Sequence, residues 1–257
     1  MHTNLNKFIN IDSTSHFKAV GMKIDLFVVS GRTLDTAPCV LILCENSYYV
    51  FNFPDLTQRI FMEYKWKMLK IKEIFLTDTS SSSIGGIPGM ILTTLNNQKP
   101  PFGFIGPENF SIILKKQALY QNLPDLFPEI SSGIYEDKFL CVTPIQLHST
   151  RAYSIKLCDE PGKFDIQKAK KLGLKPGPLF KKLTRGESIT LNDGRIIEPS
   201  MCVENPIPGS TILILDVKQN EDIDILLQKD ITLAHYDIIV HYTQPTILHS
   251  ERYKSIF

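Results

Sequence analysis

The stretch FLTDTSSSSIGGIPGM, residues 75–90, decides the fold. It enters as the end of a buried strand (Ile74, Phe75, Leu76) and turns polar from Thr77 to Ser83. It then passes Gly85, Gly86 and Pro88, and leaves through the apolar run Met90, Ile91, Leu92, which begins a helix. A strand, a loop of small residues and a helix make half of a βα unit. In α/β proteins ligands bind at the carboxyl ends of such strands, so the chemistry of this chain is expected at this loop.

Outward from the loop, hydrophobic periodicity supplies the frame. Ile24, Leu26 and Val28 alternate as a strand does, and residues 40–44 and 48–53 read as two strands joined at Glu45, Asn46 and Ser47. A helix is predicted from Thr57 to about Met68, with Ile60, Phe61, Tyr64 and Met68 on one stripe. A short strand at 104–105 precedes a helix over about 108–118, while residues 119–138 show no clear element. Strands follow at 140–142 and 152–157, then a hairpin from Ser188 to Ile197 turning at Asn192, Asp193 and Gly194. The apolar strand 211–215 ends in Asp216, a short helix spans 222–229, and 237–240 is a last buried strand. Residues 1–22 read as a loose lead-in with a short strand around 16–20. By periodicity alone the class is mixed α and β.

A chain of 257 residues fits one large domain or two small ones. Its net charge of +1 points to no class of partner, so any charge signal must be local. The five cysteines show no metal-binding spacing and no signal peptide precedes them, which fits a reducing compartment. No apolar run approaches a membrane-spanning length, and no membrane partner is expected.

The local signal lies in PGKFDIQKAKKLGLKPGPLFKKLTRG, residues 161–186. Asp165 is a helix N-cap and Gly173 a C′ residue, while Pro178 opens a second helix that Gly186 stops. Helices this short need packing, for which Ile166, Ala169, Leu172, Leu179 and Leu183 are available. The segment carries eight basic residues (Lys163, Lys168, Lys170, Lys171, Lys175, Lys181, Lys182, Arg185) against Asp165, a charge of +7 that leaves the rest of the chain at −6. A basic hairpin on an acidic body suits a phosphate backbone, without base-specific readout. The alternative is a solvated helical face, where lysine is common.

Residues 77–89 resemble the signature of the metallo-β-lactamase superfamily, and within it the tRNase Z family: Thr/Ser-His-x-His-x-Asp-His-x-x-Gly-Leu-Pro-Gly. Thr77 takes the leading position, and Gly86, Ile87, Pro88 and Gly89 the closing ones. The four ligand positions hold Asp78, Ser80, Ser82 and Ser83. Serine hydroxyls are poor zinc ligands. Residues 52–58 resemble the family's Asp-Cys-Gly-Glu-Gly-Thr-Gln turn, keeping Thr57 and Gln58. Pro161, Gly162, Phe164, Leu172, Gly173, Gly177, Pro178, Leu179, Phe180, Leu183 and Gly186 match its arm segment.

The resemblance implies an α/β fold, a four-layered αββα metallo-β-lactamase-like sandwich over residues 23–257, with 161–186 as an embedded, protruding tRNA-binding arm. It implies the degenerate amino-terminal half of a long-form tRNase Z. Such a half has no catalytic residues and no cofactor of its own. It binds precursor tRNA through the eight basic residues with Gly177 and Pro178, and it positions that RNA for a catalytic half that holds the zinc. His148 and Asp216 fall near two of the family's ligand positions, as remnants. Tyr242 stands where active members carry an acidic proton donor. The compartments implied are nucleus, mitochondrion or cytoplasm rather than secretion. Two other readings stay open: a diverged hydrolase holding one zinc through Asp78, His148 and Asp216, and a purely structural or dimerisation module for a catalytic partner.

Overall fold

The computed structural model describes residues 24–33, 36–94, 102–120, 130–159, 162–174, 177–190, 194–229 and 233–256. The lead-in at 1–22, Pro161, Lys175 and the Asn192-Asp193 part of the hairpin turn lie outside them. The chain forms two compact units, one holding the residues through Leu157 and from Ser210 onward, the other Cys158–Gly209.

The first unit is built on two sheets. Strands β1 (Ile24–Ser30), β2 (Cys39–Cys44), β3 (Ser47–Phe51), β4 (Ile71–Phe75), β5 (Gly103–Ile105) and β6 (Ile130–Ser131) form a six-stranded sheet in that order. The β1–β2–β3 meander is antiparallel, and the steps from β3 to β6 are parallel. Parallel neighbours need crossovers, and these are the helices α1 (Thr57–Glu63), α2 (Ser81–Ile84), α3 (Ile87–Thr94) and α4 (Phe110–Tyr120). The second sheet contains β7 (Tyr135–Glu136), β8 (Leu140–Gln146) and β9 (Arg151–Leu157), which belong to the first unit like those before them. It closes with β12 (Thr211–Leu215) and β13 (Ile238–His241), in the order β13-β12-β9-β8-β7.

Strand alternation sorts the side chains into three apolar layers. Ile42, Phe51 and Phe75 of the first sheet meet Tyr153, Ile155 and Ile214 of the second in a core between the sheets. The opposite face of the first sheet, including Leu41, Val50 and Ile74, packs on Phe61, Met90 and Phe110 of its helices. The outer face of the second sheet packs Leu213 and Leu215 on Ile223 and Leu226 of α7 (Asn220–Gln228) and on Tyr253 of α9 (Glu251–Lys254), after the short α8 (Pro245–Leu248). The result is the four-layered αββα sandwich. Aromatic contacts join the sheets: Phe51 stacks on Phe75 with ring centroids 4.7 Å apart, and both meet Tyr153 edge-on. The Tyr153 hydroxyl donates to the Leu76 carbonyl at 2.7 Å, tying the second sheet to the end of β4.

The second unit is inserted in sequence between β9 and β12, which pair with each other. It holds α5 (Ile166–Lys171), α6 (Pro178–Thr184), and a two-stranded ladder of β10 (Ile189–Thr190) and β11 (Ile196–Ile197). Ala169, Leu174, Leu183, Ile189, Ile197 and Cys202 form its own small core.

Three expectations need correction. The helix at Thr57 stops at Glu63, because Lys65 takes a left-handed conformation (φ 58°) and the Trp66 N–H returns to the Phe61 carbonyl at 2.8 Å. Met68 then begins a 3-10 turn, and Tyr64 is exposed and stacks on Trp66. The helix after the loop starts at Ile87, ahead of the apolar run from Met90 where it was expected, and a one-turn helix over Ser81–Ile84 precedes it. Ile166 does not pack in the second unit's core but is 53% exposed. Leu174, three residues past the end of α5, lies in that core.

Candidate functional site

The loop after β4 is held by backbone bonds to the segment after β3. The Phe53 N–H donates to the Ser83 carbonyl at 2.7 Å, and the Gly86 N–H donates to the Phe53 carbonyl at 2.9 Å. The approach is close enough that a Cβ on Gly86 would lie 2.4 Å from the Pro54 carbonyl oxygen. Glycine is therefore required there by contact rather than by φ. Thr77 is fully buried. Its N–H donates to the Asn52 side chain at 2.9 Å, and its carbonyl accepts from the Arg151 N–H at 2.8 Å.

This framework gathers two aspartates at adjacent strand ends. Asp216, 2% exposed, accepts from the Thr77 hydroxyl at 2.7 Å through Oδ2. Its backbone carbonyl accepts from the Thr150 hydroxyl at 2.5 Å. Asp78 accepts from the Ser80 hydroxyl at 2.8 Å and the Ser80 N–H at 3.2 Å through Oδ1. Through Oδ2 it accepts from the Lys218 ammonium. The Ser80 hydroxyl lies 2.8 Å from that of Ser82 and 3.5 Å from that of Ser83. Arg32 bonds the Tyr242 carbonyl with Nε (3.2 Å) and Nη2 (2.8 Å), and Nη2 stands 3.9 Å from Asp216 Oδ1. Asp216 Oδ1 is buried without a hydrogen-bond partner among the described residues. Beside the loop opens a cavity of about 300 Å³ whose lining includes Arg32, Asp55, Ser81 and Ser82.

The two carboxylates titrate in opposite directions. Burial pushes the Asp78 carboxyl up, but hydrogen bonds from Lys218, Ser83 and Ser80, together with the ammonium charge, outweigh it and hold the group below its ordinary range. Burial also pushes Asp216 up. There the Thr77 bond and the charges of Lys218 and Arg32 do not compensate, and the group stays raised.

The loop positions Asp78, Ser80, Ser82 and Ser83 thus come together with Asp216, but His148 does not join them. Its ring is exposed, and its N–H is held by Asp222 Oδ1 at 2.8 Å. Among the described residues no three His, Cys, Asp or Glu side chains group so as to hold a metal ion. One carboxylate and three hydroxyls do not suit a dinuclear zinc centre, and the outer oxygen of that carboxylate is taken by an ammonium. The one-zinc arrangement of Asp78, His148 and Asp216 is not assembled either. Tyr242 is 1% exposed and its hydroxyl donates to the Phe51 carbonyl at 2.9 Å, so the phenol faces the core.

Lys218 and Arg32 were not singled out by sequence. Lys218 reaches a partner 140 residues away, and nothing local to either residue marks the pairing.

In the second unit, Asp165 caps α5 by accepting from the Gln167 and Lys168 N–H groups at 2.8 and 3.0 Å. Gly173 and Gly186 end the two helices at φ 85° and 83°. Gly162 lies so close to the strand-like segment opposite that a Cβ there would fall 1.7 Å from the Glu204 carbonyl oxygen. Lys163, Lys168, Lys170, Lys171, Lys181, Lys182 and Arg185 are all exposed, as are Gly177 and Pro178. Lys168 makes an ion pair with Asp165 at 3.8 Å.

Comparison with known proteins bears on this arrangement. Residues 27–86, which hold the β1–β4 frame and the loop, match a family described as tRNase Z endonuclease. The chain is 27% identical over 216 residues to ribonuclease Z of Listeria monocytogenes, covering 80% of this chain and 70% of that protein. It is 27% identical over 246 residues to the mitochondrial ribonuclease Z of Drosophila melanogaster, covering 88% of this chain but 32% of that protein. The crystal structure of a long form RNase Z from yeast superposes over 90% of this chain and 34% of that chain, with a TM-score of 0.61 at 16% identity, a likeness of fold. The chain thus spans about a third of these longer relatives. The match through the loop and the relatives named ribonuclease Z agree: over most of its length this chain is similar to the tRNase Z family.

Proposed function

We propose that this chain is a non-catalytic half of a tRNA 3′-processing endoribonuclease, and that it binds and positions precursor tRNA for cleavage by a catalytic half. The observation that carries the reading is the site itself. The strand-end loop is kept in place by Gly86, Thr77 and Asn52, yet its donor positions hold hydroxyls and an ion pair. A frame without donors for zinc contributes binding rather than bond cleavage, and remote binding energy accelerates a reaction by orienting the substrate elsewhere. The exposed lysines of α5 and α6 supply the grip, with phosphate as the group they contact. The zinc belongs to the partner half in this reading. A mitochondrial compartment accords with the name of the Drosophila relative.

The role is tested by cleavage of a precursor tRNA with this chain alone, with a catalytic half alone, and with both. The expected result is no cleavage by this chain under any divalent ion, and a lower KM when it joins the catalytic half. Chelator-sensitive cleavage by this chain alone contradicts the proposal.

A further inference from the structure

We infer that Lys218 supplies, from within the chain, the positive charge for which the loop has no metal donors. Asp78 and Asp216 lie at the ends of β4 and β12, 7% and 2% exposed. Two carboxylates buried this near one another repel, and burial of either without compensation is costly. Lys218 answers both: its ammonium bonds Asp78 directly, and its charge acts on Asp216.

The placement of Lys218 is built rather than incidental. The N–H groups of Lys218 and Gln219 donate to Asp222 Oδ2 at 3.1 and 3.2 Å, and Asp222 is fully buried. The loop that carries the lysine is therefore anchored to the first turn of α7. A divalent ion seated between the two aspartates would have to displace an ammonium already bonded to one of them. The aspartates persist because they have an internal cation, and the same cation makes the site indifferent to metal. This holds whether or not the chain binds RNA.

The test is a double-variant cycle read by thermal melting, with Mn²⁺ as the probe because carboxylate and hydroxyl oxygens suit it. Lys218→Met is expected to lower Tm by roughly 5 °C, the scale for breaking a partly buried ion pair in a domain of this size. Lys218→Arg keeps most of the wild-type Tm. The double variant Asp78→Asn with Lys218→Met regains most of the loss. Mn²⁺ raises the Tm of Lys218→Met and leaves wild type and the double variant unmoved. If Lys218→Met does not fold without metal, recovery of folded protein in the double variant supports the inference and its failure to recover overturns it. Additive effects of the two substitutions, or an equal Mn²⁺ response in wild type and Lys218→Met, also overturn it.

Discussion

At the scale of single residues, two positions give direct tests. Leu56 sits at φ 70° before α1, where the resembling motif has glycine, and it is 50% exposed. A left-handed leucine costs roughly 1–2 kcal/mol, partly offset by the greater freedom of glycine in the unfolded chain. Leu56→Gly is therefore expected to raise stability by about 0.5–1 kcal/mol in urea denaturation; a loss of stability shows that the leucine side chain packs more than its exposure indicates. His241, at the end of β13, bonds the Tyr253 hydroxyl at 2.8 Å, and burial pushes its pKa down to about 4. The unfolded value is about 6.5, so the unfolded chain takes up the proton first. The histidine's contribution is whole above pH ~6.5 and is lost as pH falls toward 4, by up to about 3 kcal/mol. Stability measured across this window should be flatter in His241→Gln than in wild type. Parallel curves contradict the assignment.

At the scale of elements, short helices exist here through their ends and their packing. The helix α5 has six residues, too few to persist by itself. Its cap is Asp165, whose carboxyl is held below the ordinary range, first by the Lys168 N–H, against a smaller opposing effect of burial, with further help from the Gln167 N–H and nearby lysine charge. A lowered carboxylate stabilises above its unfolded pKa and loses that contribution as pH falls through the folded one. Asp165→Ala is expected to speed amide exchange at Ala169 and Leu172, whose N–H groups bond the carbonyls of Asp165 and Lys168. Asp165→Asn keeps protection at neutral pH and removes its loss in acid. Unchanged exchange in the alanine variant rules out the cap as the determinant.

Elements were also where the sequence was most legible. Alternation placed β1, and runs of strand-forming or apolar residues placed β2, β9 and β12, because a strand between two apolar layers carries apolar side chains on both faces. The caps Asp165 and Pro178 and the stops Gly173 and Gly186 placed α5 and α6, because those signals act within a turn. Legibility failed where tertiary contact decides. Lys65 ends α1 through a left-handed turn that lysine does not announce. The Thr77–Asp216 bond joins residues 139 apart, and the Lys218–Asp78 pair spans a similar distance. The loop's own residues pointed to Asp78 and the three serines; only the fold brought in the lysine that pairs with Asp78.

At the scale of the whole molecule, charge and chemistry are divided between two units. One retains the four-layered frame with its loop closed by hydrogen bonds and an ion pair; the other carries the lysines. Lysines on such a surface contact phosphate as point charges, so binding should fall with salt and vary little with sequence. The most direct measurement is precursor tRNA affinity against salt concentration, for wild type and for a variant with Lys170, Lys171, Lys181 and Lys182 each changed to Glu. The account predicts at least a tenfold weaker affinity at low salt for the variant, with a shallower salt slope, while circular dichroism shows both proteins folded. Equal affinities and equal slopes in the two proteins would contradict it.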